Sequence, residues 1–572
     1  MKEPAMTAAT EYDPYDLPDD AIQEPPVSLW AALRKIGPGI ILAGTIVGSG
    51  ELLLTTSFGA KHGFVFLWLI LYSCIIKVFV QTELGRYAIS SGKPTLAAIN
   101  ELSGPRLGAN WILWCWLIMM LATTMQLGAM TGTVGQCLNL AFPQMSLGIR
   151  DRLSPTLSES WKVLDPETRR VDALRPEWEK SVAATTLPKE ISEVLVLAPS
   201  KRKPQQIEKV TAYHRSGDSD WVARNSQTAE LRSKTQGLVP DLAEALHNRP
   251  ELPWAVLTCL TAIVLLWSGS YRRIEIVTTA LVVGITIATV TAATLLPLTP
   301  YPIHWNEVAQ GLTFDMPAAG IAAAFAVFGI TGVGAAELFF YPYWCLEKGY
   351  ARYAGRCDSS AAWERRAKGW IRVMHLDAWV SMIVFTVSTV AFYFMGAAVL
   401  HPQGLHPEGV SMIATLSRMF VDTFGGWTQI VFLIGAGAVL FKTLYLSAAG
   451  NGRLAADFLS LSKAVSYKSA AQRSSVIQGI SLFIPVLALF LFFIYKDPRE
   501  MVVVGGFAQA LMLPIISGAA IYFRYRKLDR RLTPWLILDI LIWIAFISIT
   551  IVAIYAMSDQ VMKLLDAYVV KK

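Results

Sequence analysis

Two carboxylates stand where an apolar helix should carry none. Glu51 follows Gly48-Ser49-Gly50 in GIILAGTIVGSGELLLTTSFGA, and Glu337 follows Gly329, Gly332 and Gly334 in AAAFAVFGITGVGAAELFFYPYW. A charged side chain at bilayer depth is costly, so it faces a partner, a bound ion or a watery cavity. The neighbouring glycines weaken the helix and free backbone carbonyls, which a membrane tolerates only where the break is shielded from lipid. Two such breaks at corresponding places in two halves of a chain point to the binding site of a secondary transporter. Carboxylates and carbonyls are hard oxygen donors suited to Mg2+, Ca2+ or Mn2+. No Cys or His adjoins either break, which disfavours a soft-metal site. Glu51 and Glu337 are therefore the expected metal ligands, with carbonyls near Thr45, Gly48, Gly334 and Ala335 completing the shell and Gln509 a further donor.

Plainer roles compete with these. Glu51 could pair with a buried cation or cap the freed amides of its own helix, and Glu337, beside FFYPYW, could be a structural acceptor. Glycine is also common at close helix contacts. Lys77 and Lys442 are further charges within apolar segments, and each could snorkel to the membrane surface. The sharper reading of Lys442 is a fixed cation that compensates a carboxylate or stands where a coupling ion would bind. His375 and Asp377 begin the seventh apolar segment, where an interfacial polar cluster competes with a role in coupling. Asp539 reads as a local hydrogen-bond partner.

The elements that must position these residues are membrane helices. Hydrophobic residues make up 53% of the chain and charged residues 16%, against about 25% charged in soluble domains. A span needs roughly 20 apolar residues, and eleven segments qualify, at about 37–59, 63–86, 110–141, 252–269, 274–297, 316–345, 373–400, 426–449, 476–495, 501–524 and 534–557. Their order suggests two halves of five helices plus one extra, with Glu51 and Glu337 each on the first helix of its half. The chain divides into an acidic tail expected to be disordered (1–30), spans one to three (31–143), a charged soluble insertion (144–250) and spans four to eleven (251–572). The first 28 residues hold seven acids and one lysine, so no cleavable signal peptide is expected.

Basic residues set the orientation. They gather in 86–106, at Arg272 and Arg273, in 348–372, in 453–473 and in 524–531, which places the N-terminus in the cytoplasm of a multi-pass inner-membrane protein. By the same alternation the 144–250 insertion lies outside. Five of the six cysteines fall inside spans and none has ligand spacing, so neither a disulfide framework nor a zinc site is expected. The net charge of +7 is explained by these loops and needs no nucleic acid. No nucleophile–base pattern suggests an enzyme.

The first two spans resemble the Nramp divalent-metal transporters. GPGIILAGTIVGSGELLLTTSFGAKHGFVFLWLIL is similar to that family's first and second helices, and QTELGRYAISSGKP continues the likeness. SYRRIE resembles its link between the fourth and fifth helices, and HLDAWVSM and GAAVLH its seventh helix. The resemblance covers nearly all the apolar segments and implies an all-α, LeuT-like 5+5 inverted repeat with helices 1 and 6 broken. It also shows departures. The family's first-helix Asp-Pro-Gly-Asn falls on Gly48 to Glu51, and its sixth-helix Met-Pro-His falls near Ala335, Ala336 and Glu337. Its acidic third-helix positions meet Thr124 and Leu127. In lacking the methionine and these acids the chain is similar to Nramp-related magnesium transporters.

The expected activity is alternating-access transport of Mg2+ or Mn2+ across the bilayer, without the family's type of proton coupling. The cation is substrate, no cofactor is expected, and a monomer is compatible with the fold. One alternative is a proton- or cation-coupled transporter of a small organic solute such as an amino acid or amine. Another is a receptor whose insertion binds ligand.

Overall fold

The two glycine-rich runs are broken helices. In the computed structural model the first apolar run forms α1 (Pro38–Ile46), a π-helical turn at Ser49–Thr55 and α2 (Thr56–His62). Gly48 sits at the break with φ −143° and ψ −126°. The helices α3 (Leu67–Ser91), α4 (Trp111–Ala141), α5 (Leu252–Ser268) and α6 (Tyr271–Leu295) follow. The sixth run divides into α7 (Ile321–Ile330) and α8 (Ala335–Lys348). Its four linking residues include Gly332 at φ +68°, a left-handed conformation that favours glycine. The remaining long helices are α9 (Ala361–Met395), α10 (Thr428–Leu461), α11 (Ala470–Ile494), α12 (Pro498–Arg526) and α13 (Leu536–Val570). The structure describes residues 15–142 and 251–570, apart from 16, 18, 47, 269–270, 318–319, 359, 408–411 and 496. The expected 144–250 insertion lies outside the described residues.

Eight helical stretches among the described residues are long and apolar enough to cross a bilayer. The apolar helices Leu252–Trp267 and Val283–Leu298 are shorter, and the first run is interrupted. Among the described residues the fold is all-α apart from one small ribbon, Arg106–Leu107 against Ala109–Asn110.

The main packing contacts join spans far apart in the chain. Helix α4 lies against α10, α11 and α12, α3 lies against α9, and α7 lies against α12. The last contact depends on reciprocal glycines: a Cβ on Gly329 would fall 2.1 Å from the Gly506 carbonyl oxygen, and one on Gly506 2.6 Å from that of Ala326. Small residues let helix backbones approach this closely where the surrounding solvent is lipid. The outer faces are apolar, with Trp535 83%, Ile537 66% and Ile554 63% exposed along α13. So large an apolar surface is stable only in a membrane.

The basic loops meet at one end. Lys527 pairs with Glu101, Arg531 donates to the Asp358 carbonyl, and Arg453 pairs with Glu347. The segment from Tyr15, expected to belong to a free tail, instead lies along this end. The Tyr15 hydroxyl donates to Asp457 Oδ2 at 2.7 Å, and Arg473 donates to both residues. Farther along, Arg356 donates to the Leu17 carbonyl and Trp370 to that of Gln23. Its acidic composition suits the basic loops beneath it.

Candidate functional site

Both helix breaks are buried, and each supplies a glutamate to the region between them. Glu51 is fully buried; its Oε1 accepts from the Gly332 amide at 3.2 Å and from the Thr389 hydroxyl at 3.3 Å, and its Oε2 has no partner. Glu51 therefore does cap a freed amide, but on the other broken helix rather than its own. Glu337 lies in the first turn of α8, where a negative charge complements the helix dipole. Its Oε2 is likewise buried without a partner. Buried acceptors of this kind are rare because each forfeits the solvation it had in water.

Glu337, not Glu51, lines a cavity of about 30 Å3 between α1, α4, α7, α8, α10 and α12. That is room for about one water molecule. Gln509 also lines it, at 2% exposure. Its Oε1 accepts from the Ala336 amide at 3.1 Å, and its Nε2 donates to Gln126 Oε1 at 3.1 Å. The wall opposite carries Thr443, Ser447 and Asn451. Gln126, Thr443, Ser447 and Asn451 do not stand out in the sequence. A signal existed: Thr443, Ser447 and Asn451 recur at four-residue spacing, so they share one face of α10.

The backbone positions fall differently from one another. Thr45 is the penultimate residue of α1, and Gly48 lies at the break. Gly334 and Ala335 begin α8, so their amides rather than their carbonyls are the groups freed, and the Gly334 carbonyl accepts from the Leu338 amide. The freed carbonyls belong to α7. Lys77 takes them: fully buried, its Nζ donates to Phe328 O at 2.7 Å and Thr331 O at 2.6 Å and stands 5.1 Å from the Phe328 ring centroid. The Ser73 hydroxyl bonds the same two carbonyls. Lys77 does not snorkel; it caps the broken helix, within electrostatic reach of both glutamates.

Lys442 lies beside the first broken helix. Its Nζ lies 2.7 Å from where a Cβ on Gly44 would be, against the last turn of α1, and it is 6% exposed. Lys77 stands at the negative end of α7, which the helix dipole favours. His375 and Asp377 are separated by the structure. Asp377 accepts from the Gly37 amide at 2.8 Å, from the Gly39 amide and from the Tyr341 hydroxyl, and so caps the start of α1. His375 Nε2 accepts from Arg86, because a guanidinium can only donate. Arg86 continues to Glu83, Arg524 and Asp539.

No group of three His, Cys, Asp or Glu side chains is placed to hold a metal ion among the described residues.

The sequence model of the Nramp family, described as natural resistance-associated macrophage protein-like, matches residues 242–559, more than half of the chain. The chain belongs to the Nramp family. This makes it a multi-pass membrane protein of the metal-ion transporter class, not an enzyme. The fold agrees. A manganese transporter from Eremococcus coleocola, solved with an aromatic bis-isothiourea compound, aligns with TM-score 0.54 and 14% identity over 94% of this chain and 89% of its own. A mutant of that transporter gives 0.55 and 14%, over 96% and 92%. At this identity the likeness concerns the fold, which is the LeuT-like inverted repeat with helices 1 and 6 broken. No curated protein sequence matches the chain.

Proposed function

We propose that this Nramp-family protein moves a hard divalent cation, Mg2+ or Mn2+, by alternating access and without the family's type of proton coupling. The carrying observation is the pair of buried, unpartnered carboxylate oxygens, Glu51 Oε2 and Glu337 Oε2, at two facing helix breaks. On this reading a divalent ion in the cavity binds Glu337 and draws also on Glu51, whose carboxylate lies within electrostatic reach of Glu337. Gln509, held by Gln126, offers a third oxygen, and Thr443 and Asn451 line the same cavity. These are hard donors, and the ion could keep part of its water. Manganese is named in the structurally similar transporter, which supports Mn2+; the oxygen-only donor set supports Mg2+ equally.

Lys77 and Lys442 give the reading its particular form. Lys77 lies within electrostatic reach of both glutamates and offsets part of their charge before the cargo arrives; Lys442 stands as a fixed cation beside the first broken helix. Thr124 and Leu127 stand where the family's acids would carry protons, which supports transport uncoupled from them. The basic end, where the loops and the N-terminal segment converge, is assigned to the cytoplasm of the inner membrane.

In this conformation the cavity beside Glu337, about 30 Å3, suits a small ion or a water. Titration calorimetry on the purified protein with MnCl2, MgCl2 and propylamine tests the reading. Saturable binding of either metal that Glu337→Gln weakens at least tenfold is expected. Binding of the amine alone would hand the assignment to an amine transporter.

A further inference from the structure

A second cavity, of about 450 Å3, opens at the basic end between α9, the end of α3 and the start of α13. Lys368, Arg372, His375 and Trp379 line it from α9. Their spacings of four, three and four residues place them on one face of that helix. Arg86 forms part of its floor and Trp535 its outer edge.

The two sides of this cavity differ in chemistry. Arg86 is buried and committed to Glu83, His375 and the Leu532 carbonyl. Lys368 is exposed and paired with Glu364 at 2.6 Å. Arg372 is exposed and makes no ion pair or hydrogen bond among the described residues. The nearby acids are already used: Glu83 and Asp539 are bound by Arg524, and Glu364 by Lys368. The mouth therefore keeps a positive charge. On the other side Trp535 is 83% and Leu536 73% exposed, and they start the apolar stripe of α13 that faces lipid. The Trp379 ring packs edge-on against Phe79 at 5.5 Å, giving that wall a fixed aromatic surface.

We propose that this cavity binds the headgroup of an anionic phospholipid at the basic face of the membrane. Arg372 and Lys368 take the phosphate, and an acyl chain lies along Trp535 and Leu538. Basic pockets between membrane helices suit such headgroups. Charge alone would accept any small anion. The continuity of the cavity with the lipid-facing side of α13 selects a ligand that carries a hydrocarbon chain. The site is separate from the helix breaks and stands whether the cargo is a metal or not.

The test uses the full-length protein in a neutral detergent. Thermal unfolding and native mass spectrometry are measured against added dioleoylphosphatidylglycerol, dioleoylphosphatidylcholine and inorganic phosphate. The wild type should show saturable binding and a raised melting temperature with phosphatidylglycerol only. The double variant Lys368→Gln/Arg372→Gln, both positions exposed, should melt like the wild type without lipid and bind phosphatidylglycerol at least fivefold more weakly. A control, Arg352→Gln/Lys468→Gln, removes the same charge elsewhere at this end and should bind as the wild type does. Equal weakening in the control, an unchanged Lys368→Gln/Arg372→Gln variant, or a full response to phosphatidylcholine or to phosphate alone would each overturn the proposal.

Discussion

Replacing Lys77 with methionine removes the ammonium that caps α7 while keeping a side chain of similar length and volume, so no cavity is created. Nζ makes two hydrogen bonds, at 2.7 and 2.6 Å, to Phe328 O and Thr331 O. A hydrogen bond to a charged group contributes about 1.5–3 kcal/mol, so the pair amounts to about 3–6 kcal/mol. Two effects reduce the net loss. Ser73 keeps its single hydroxyl hydrogen for one of them, the Thr331 carbonyl at 3.0 Å being the nearer. Relief of the buried charge returns part of its desolvation penalty, which is several kcal/mol for a buried ion. The net destabilisation is then about 2–3 kcal/mol. At the low end of the usual conversion for large chains, this lowers the melting temperature by about 5 °C. Size-exclusion retention after heating in detergent reads it directly. Ser73→Ala, which removes weaker neutral bonds, should cost about 1 kcal/mol by the same scale. Lys77→Met protein that melts at or above the wild-type temperature would refute the capping argument.

Three further outcomes follow from the geometry. Gly332→Ala places a Cβ 2.9 Å from the Cys74 Cα in a left-handed backbone; the conformation alone costs about 1–2 kcal/mol, and the variant should melt several degrees lower. Gln509→Leu removes the acceptor for the Ala336 amide and an oxygen from the cavity, so the half-saturating cation concentration should rise about fivefold, equivalent to about 1 kcal/mol. Tyr15→Phe loses the hydroxyl bonds to Asp457 and Arg473. Because Tyr343 and Arg473 still hold Asp457, the melting temperature should stay unchanged while limited proteolysis cuts the N-terminal segment faster.

The breaks were legible in the sequence because an apolar membrane helix rarely tolerates a glycine cluster beside a lone acid unless a cavity or a ligand shields them. The burial of Glu51, and its position at the first break, followed from that alone. The partner of Glu51 did not. Its acceptor bond runs to Gly332, 281 residues away, and no local pattern encodes such a pairing. Lys77 read mainly as a rim residue, and Lys442 either as a rim residue or as a fixed compensating cation; what decides their role is the half-helix packed alongside. Asp377 was visible as a charge near a membrane surface, yet its role as the cap of α1 depends on the approach of Gly37 and Gly39 from the other half of the bundle. Gln126, Thr443 and Asn451 escaped notice because single polar residues in membrane helices are common. Only their shared face separates them from local hydrogen-bond formers. The docked segment from Tyr15 was read as free because its composition is that of a solvated tail, and composition does not reveal a basic surface assembled from distant loops.

The most direct test of the transport site is uptake of Mn2+ and Mg2+ into proteoliposomes, comparing the wild type with Glu51→Gln and Glu337→Gln at matched incorporation. Cation uptake by the wild type, lost in both variants while each elutes and melts as a folded protein, is the predicted result. Undiminished uptake by either variant would contradict the assignment of its carboxylate to the ion.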